Sequence, residues 1–255
     1  MMKYNQNAPT LSLGYDLDLL ERGEKSKIML NLSRSQNTHL LCIGQSGSGK
    51  SYSLISYLSK LSLAEPQGEI LFADFKGEFE WLSGCPRYFP YKNAYNAVEI
   101  AYNMLSARLS GDDVSENPLT FIFDEYVSAI LSQTAEDKKA AALTMSKISE
   151  ILLMGRACGR ASVRFWCFTQ RCDSLVFPVG SREQFGGAVI ALGMVSKEAK
   201  QMMFSDFTED FKGRTFGRGE GRILLNNFTL RHVKIGQINT DKAQALCKAA
   251  LLKPL

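Results

Sequence analysis

Residues 44–51 have the types and the spacing of a phosphate-binding loop (P-loop). They read GQSGSGKS and match the pattern G-x-x-x-x-G-K-[ST] without a gap. Glycine permits a tight turn whose backbone N–H groups point at phosphate oxygens, and a following helix adds its N-terminal dipole. Lys50 would reach the β- and γ-phosphates, and the Ser51 hydroxyl would bind Mg²⁺. The predicted nucleotide-binding residues are Gly44, Gln45, Ser46, Gly47, Ser48, Gly49, Lys50 and Ser51.

Two adjacent carboxylates follow a second apolar run. Residues 119–125 read LTFIFDE, so Asp124 and Glu125 come directly after a strand-like segment. Downstream of a P-loop, this pair favours nucleotide hydrolysis: Asp124 would hold the metal through water, and Glu125 would polarise the attacking water as a general base. We expect this strand to be a neighbour of the P-loop strand. The alternative is an acidic strand end that faces solvent.

A third strand candidate also ends in a polar residue. Residues 163–171 read VRFWCFTQR, and Gln170 would lie beside the γ-phosphate if this strand neighbours the other two. An amide contacts phosphate or water without adding charge. Taken alone, the same pattern fits a glutamine that caps a strand. The sequence has no N-K-x-D motif for reading guanine, so ATP with Mg²⁺ is the expected ligand.

The elements that must position these groups alternate along the chain. Apolar, partly β-branched runs predict strands, and the helix-period segments between them predict helices. The strand candidates are residues 27–32, 39–44, 69–74, 119–124, 163–169 and 186–192. The helix candidates are residues 49–62, 93–110, 136–157, 196–204 and 240–251. A late hairpin would turn at Asn226–Asn227, since Asn tolerates positive φ.

This alternation predicts a doubly wound α/β fold with a mostly parallel sheet covered on both faces. Within the predicted helix 136–157, the core-facing positions would be Leu143, Ile148, Ile151 and Leu152. Residues 1–38 are interpreted as a short N-terminal lead-in. Residues 39–255 would form the nucleotide-binding domain, and everything fits one domain overall.

Composition sets the broad class. The chain has 255 residues, 45% of them hydrophobic and 22% charged, which is ordinary for a globular protein. The formal charge of +4 is mild, although residues 151–235 carry thirteen basic against seven acidic side chains. The six cysteines form no C-x-x-C pair, which favours a reducing, cytoplasmic compartment. No apolar run is long enough to cross a bilayer.

Taken together, the motifs resemble the FtsK/SpoIIIE/HerA superfamily of DNA-pumping ATPases. The P-loop, the Asp-Glu strand and the Thr-Gln strand are similar in kind and order, and so are EILFADFKG at 69–77, AYNMLSAR at 101–108, MGRACG at 154–159 and GRGEGR at 217–222. The similarity covers most of the chain, and the variant most resembled is the short form carried by conjugative elements and phages. It implies a RecA-like core with ATP hydrolase activity.

The resemblance also implies a homo-hexameric ring in which DNA threads the central pore, held through phosphate contacts rather than base readout. An arginine from one subunit would reach the ATP of its neighbour. Arg156 matches that position best, with Arg160, Arg164 and Arg171 as rivals. Such a finger contributes about 10³- to 10⁵-fold in rate. The membrane helices and winged-helix domain of full-length translocases are not found in this sequence, so a membrane-anchored or DNA-processing partner would supply those tasks.

Three functions fit these observations. The first is an ATP-driven DNA translocase of a mobile genetic element, acting in conjugative transfer or related DNA processing. The second is a phage or virus genome-packaging ATPase of the same superfamily. The third is a nucleotide-dependent docking or regulatory protein that does no mechanical work, against which the adjacent Asp124 and Glu125 argue.

Overall fold

A ten-stranded mixed sheet runs through the part of the chain that the structure describes, which is residues 8–33, 38–155, 163–177, 180–211 and 213–255. The structure is a computed structural model. Its strands are β1 (Thr10–Asp16), β2 (Lys27–Asn31), β3 (Leu40–Gly44), β4 (Glu69–Asp74), β5 (Tyr88–Pro90), β6 (Leu119–Asp124), β7 (Val163–Thr169), β8 (Ala188–Leu192), β9 (Glu220–Leu225) and β10 (Thr229–Lys234). Their spatial order is β2-β1-β10-β9-β8-β3-β7-β6-β4-β5.

The central part of this sheet is parallel. Strands β8, β3, β7, β6, β4 and β5 pair in parallel, whereas β9, β10, β1 and β2 extend the sheet by antiparallel pairing. Every residue of β3, β6 and β7 is buried. Continuous apolar runs are expected of strands covered on both faces. The predicted doubly wound, mostly parallel α/β fold is confirmed.

Helices cover both faces of the sheet. They are α1 (Leu17–Glu21), α2 (Lys50–Ala64), α3 (Ala94–Ser110), α4 (Tyr126–Glu136), α5 (Lys138–Met154), α6 (Lys197–Met203) and α7 (Thr240–Leu251). Successive residues of β3 point to opposite faces: Leu40 and Cys42 pack in the cluster that holds α2 and α7, and Leu41 and Ile43 in the cluster that holds α3, α4 and α5. Two hydrophobic cores therefore fix the sheet from either side.

The expected adjacency of the P-loop strand and the acidic strand is wrong. Strand β7 lies between them: Leu40 of β3 pairs with Trp166, and Trp166 pairs with Ile122 of β6. All three strands are parallel, so their carboxyl ends meet at one edge of the sheet. The acidic pair therefore faces the P-loop across the end of β7, where Gln170 follows the strand.

The predicted helix over 136–157 is present as α5, Lys138–Met154, which begins two residues later than predicted. Asp137 is extended, with φ −149° and ψ 102°, and its carboxylate accepts the backbone N–H groups of Lys139 and Ala140 as the N-cap of α5. The helix α4 before it was not predicted. The prediction that Leu143 faces the core is wrong, because its side chain is 55% exposed. The buried side of α5 consists of Ala141, Thr144, Ile148, Ile151 and Leu152.

The hairpin and the N-terminal strands complete the sheet. Asn226 and Asn227 have φ of 52° and 62° between β9 and β10, which confirms the predicted turn. Strand β2 lies close to its predicted position, but β1 was not predicted. Both strands precede residue 39 and join the same sheet through β10. The division at residue 38 stays a prediction.

Candidate active site

The P-loop connects β3 to α2. Gly47 and Gly49 have φ of 84° and 101°, values that glycine adopts without strain. A Cβ on Gly44 would lie 2.3 Å from Oγ of Ser48, so a side chain at this position would displace the Ser48 hydroxyl. The loop closes on itself through the Ser48 N–H, which donates to the Gln45 carbonyl at 3.1 Å. The predicted glycines therefore build the turn that the motif implies.

Lys50, Asp124 and Glu125 meet at this edge of the sheet. The Nζ of Lys50 lies 2.6 Å from Oδ1 of Asp124 and 2.8 Å from Oε1 of Glu125. All three side chains are buried. Burial alone would lower the pKa of Lys50, but the two carboxylates outweigh it and raise that pKa. The lysine is therefore held as a cation between two acids.

The two carboxylates have different protonation behaviour. Burial raises the pKa of Asp124 to about 6, although Lys50 opposes it, and the charges of Glu125 and Asp74 add to the rise. Burial also raises the pKa of Glu125, but there the attraction of Lys50 and Lys76 prevails and the pKa falls below its ordinary value. At neutral pH Glu125 is ionised, as a group that accepts a proton must be.

Glu125 is held in a strained conformation. It has φ 62° and ψ 36°, a left-handed backbone that non-glycine residues adopt at a cost of about 1–3 kcal/mol. Its N–H donates to the carbonyl of Phe168 at 2.8 Å, which ties it to β7. The Ser128 hydroxyl donates to its Oε2 at 3.1 Å, and Nζ of Lys76 lies 3.4 Å from the same oxygen. Strain held this firmly, at the start of α4, is typical of a functional residue.

The comparison with known families identifies this arrangement. The profile of the central domain of the helicase HerA matches residues 18–158, more than half of the chain. The chain belongs to the HerA central-domain family. It is a P-loop ATP hydrolase of the FtsK/HerA type, as the motifs predicted. No curated protein matches the chain.

Solved structures share the fold of this HerA-family chain at low sequence identity. The conjugation coupling protein TcpA of pCW3, solved with ATPγS, has a TM-score of 0.70 at 16% identity, over 96% of this chain and 71% of TcpA. The cytoplasmic domain of the type VII secretion ATPase EccC from Thermomonospora curvata has a TM-score of 0.68 at 16% identity; all of this chain matches 32% of that one. The genome-packaging NTPase B204 of Sulfolobus turreted icosahedral virus 2 has a TM-score of 0.52 at 17% identity, over 79% of this chain and 98% of B204.

The site of this HerA-family chain fits a magnesium ion held together with a nucleotide. Oδ2 of Asp124 is buried, and no described residue donates a hydrogen bond to it. The Ser51 hydroxyl reaches only Oε2 of Glu78, at 3.4 Å. Among the described residues no group of three or more His, Cys, Asp or Glu could hold a metal by itself. Ser51 and Asp124 would hold the ion, which when bound would offset charge on the phosphates.

Three residues of the site were missed at the sequence level. Lys76 contacts Glu125 and Glu78 contacts Ser51, both from the loop after β4. Buried Asp74 shapes this loop, because its carboxylate accepts the N–H groups of Gly77 and Phe79 and the hydroxyl of Tyr88. The third is Arg218, which lines the nucleotide cleft. Lys76 belongs to the EILFADFKG segment and Arg218 to GRGEGR, so the family resemblance is the sequence signal that points to both.

The remaining predicted residues separate into three groups. Gln170 lines the cleft with Lys50 and Glu125, and its contact with the γ-phosphate stays a prediction. Arg156 and Arg160 lie outside the described residues. Arg164 cannot act as a finger, because it is 1% exposed and paired with Glu65 at the opposite end of β7. Arg171 is exposed and follows Gln170 directly.

Proposed function

We propose that the chain is an ATP-driven DNA translocase of a mobile genetic element, working in conjugative transfer or related DNA processing. The observation that carries the proposal is the meeting of Lys50, Asp124 and Glu125 beside the P-loop, with contacts of 2.6 and 2.8 Å. A nucleotide-binding switch has little use for a buried, ionised glutamate poised as a base. The arrangement favours turnover over binding alone.

The proposed chemistry begins with an exchange of partners at Lys50. The β- and γ-phosphates of ATP would draw its ammonium group away from Glu125, which frees a carboxylate oxygen to face water. Glu125 then takes a proton as water oxygen bonds to the γ-phosphorus, and the bond from that phosphorus to the β–γ bridging oxygen breaks, leaving ADP and phosphate. Gln170 would contact the γ-phosphate or the water, and Asp124 and Ser51 would hold the metal.

Three observations support a DNA motor rather than an isolated ATPase. The family is that of a helicase central domain. The fold matches a conjugation coupling protein and a genome-packaging NTPase. The basic excess of residues 151–235 suits a partner with a phosphate backbone. In the proposed homo-hexamer, Arg156 reaches the ATP of the neighbouring subunit. Among the described residues, Arg171 is the other candidate for this arginine finger.

No helix in the described part of the chain is long and apolar enough to span a membrane. We place the motor in the cytoplasm, with membrane attachment, where transfer needs it, supplied by a membrane-anchored or DNA-processing partner. DNA would be held without regard to sequence, because the interaction is with phosphates that every sequence shares.

Turnover measured against DNA tests the proposal. ATP hydrolysis is followed at low salt while duplex and then single-stranded circular DNA are titrated in. The Glu125→Gln variant measures hydrolysis by any contaminating ATPase. Turnover is expected to rise several-fold with one of the two and to lose that rise at high salt. Unchanged turnover with both would contradict the motor, and a DNA-independent monomer would indicate a docking or regulatory protein instead.

Ring formation is tested separately by negative-stain imaging with ATPγS and DNA. In rings, Arg156→Ala is expected to slow turnover without weakening nucleotide binding, whereas Arg171→Ala leaves turnover unchanged. The reverse outcome would move the finger to Arg171.

Genome packaging is the second candidate. One observation favours it: the match spans 98% of the packaging NTPase B204, against 71% of the conjugation coupling protein TcpA. Stimulation by duplex DNA alone, together with capsid and portal genes beside the gene for this chain, would support packaging. Relaxase and mating-pore genes would support conjugative transfer.

A further inference from the structure

The GRGEGR segment is docked on the P-loop of the same chain. The N–H of Gly219 donates to the carbonyl of Ser48 at 2.8 Å, and the Gly219 carbonyl accepts the N–H of Ile235 at 2.7 Å. A Cβ added to Gly49 would lie 3.1 Å from N and 3.2 Å from Cα of Gly219. Glycine at both positions lets the two backbones touch. The loop before β9 is therefore part of the wall of the cleft.

This contact places Arg218 at the nucleotide cleft. Its Cγ would lie 3.8 Å from a Cβ on Gly49, and its side chain lines the cleft together with Lys50 and Glu125. Its backbone is fixed on both sides, by the Gly219 bond to Ser48 and by Nζ of Lys234, which donates to the Arg218 carbonyl at 3.3 Å. The hydrogen bond to the P-loop therefore fixes the backbone position from which the Arg218 side chain extends.

The guanidinium of Arg218 has no partner among the described residues, and the carboxylate of Glu220, two residues along the chain, is already paired with other groups. Oε1 of Glu220 lies 2.8 Å from Nζ of Lys234, and its Oε2 accepts the N–H of Gly217 at 2.9 Å. Arg218 and Lys50 are the two basic residues that line the cleft in the described part of the chain. Lys50 is shared between two carboxylates, whereas Arg218 forms no ion pair with a described residue.

The position of Arg218 selects the part of the nucleotide that it can reach. The acidic pair lies on the β7–β6 side of β3, and the GRGEGR segment leads into β9 on the opposite side, beyond β8. In the proposed mechanism, the attacking water and the γ-phosphate lie on the acidic side. Gly49 lies at the start of α2, where P-loop amides hold the α- and β-phosphates.

We propose that Arg218 binds the α- and β-phosphates of the nucleotide held by its own subunit. It acts in cis, through charge-assisted hydrogen bonds to groups that ATP and ADP share. It is therefore distinct from a finger that a neighbouring subunit inserts at the γ-phosphate. This assignment rests on the ATP site proposed above and adds a second basic side chain, beside Lys50, to that site.

Binding of fluorescent mant-ATP and mant-ADP tests the assignment, with protein kept dilute and checked as monomeric by gel filtration. Arg218→Ala is expected to weaken both ligands by a similar factor of about tenfold or more, the range for hydrogen bonds between charged groups. Arg218→Lys is expected to recover part of the loss. Arg231→Ala is the matched control, because Arg231 lies on the adjacent β10 and not in the cleft.

Each outcome bears on a different claim. Wild-type affinity in Arg218→Ala for both ligands would overturn the assignment and leave the ATP site standing, provided that Lys50→Ala still loses binding. A loss confined to mant-ATP would overturn it too, since it would place Arg218 at the γ-phosphate. Absence of binding by the wild-type protein would overturn the ATP site itself. The exposed guanidinium has no described partner, so the melting temperature of Arg218→Ala should match the wild type.

Discussion

Nζ of Lys50 lies 2.8 Å from Oε1 of Glu125, so the P-loop lysine and the proposed base neutralise each other before a nucleotide arrives. Breaking such a buried pair is costly unless a new partner replaces the old one. Phosphates provide that replacement for Lys50. We therefore expect the phosphates of ATP to release Glu125 from Lys50.

Glu125→Gln should remove hydrolysis and preserve binding. The amide keeps the shape of the side chain but takes no proton, so kcat is expected to fall by about 10²- to 10⁴-fold. Mant-ATP affinity should stay within a few-fold of the wild type. Glu136→Gln is the control, because Glu136 is an exposed acid at the end of α4. A Glu125→Gln protein that still turns over ATP at the control rate would show that another group is the base.

Lys76→Ala should shift the acid limb of the pH–kcat profile to higher pH. Lys76 is one of the charges that lower the pKa of Glu125, and its Nζ lies 3.4 Å from Oε2. Without it the carboxylate holds its proton more tightly, so activity is lost sooner as the pH falls. Lys92→Ala, which removes an exposed lysine paired with Glu136, provides the comparison. Superimposable profiles for the two variants would rule out an influence of Lys76 on the base.

Affinity for nucleotide in the presence of Mg²⁺ should fall in mild acid because of Asp124. Burial raises its pKa to about 6, with Glu125 and Asp74 adding to the rise against Lys50, so protons compete with the metal below that pH. From pH 7.5 to pH 5 the affinity should drop by about tenfold, one factor of ten per unit below the pKa. Asp124→Asn should bind weakly with no such step. If the affinities of the wild type and of Asp124→Asn fell with pH in parallel, the pH dependence would come from the nucleotide, which titrates in the same way with both proteins.

Gly221→Ala should destabilise the protein more than Gly23→Ala. A Cβ on Gly221 would lie 2.0 Å from the backbone carbonyl oxygen of Ala191, so β8 and β9 would have to separate. Gly23 has φ 86° with nothing within 4 Å of an added Cβ, so its substitution carries only backbone strain. We expect about 2–3 kcal/mol for Gly221→Ala and about 1 kcal/mol for Gly23→Ala. Equal denaturation midpoints in urea would contradict the close approach of the strands.

The sequence by itself determined the local structures that do the chemistry. The P-loop follows from glycines and a lysine at fixed spacing, and the hairpin turn follows from two asparagines that accept positive φ. The buried parallel strands were recognisable as apolar runs, and the carboxylates of Asp124 and Glu125 follow one of these runs. Each of these signals is carried by consecutive residues, whose backbone preferences act over a few positions.

Only the tertiary structure decided which of these pieces meet. It inserted β7 between β3 and β6, buried Arg164 against Glu65, and added α4 directly before the N-cap of α5 at Asp137. It also brought Lys76 to Glu125 and docked Gly219 on Ser48, across long separations in the chain. Strand order and loop docking depend on how two hydrophobic cores pack over the whole sheet. No short window of sequence contains that balance, so these contacts had to come from the folded chain.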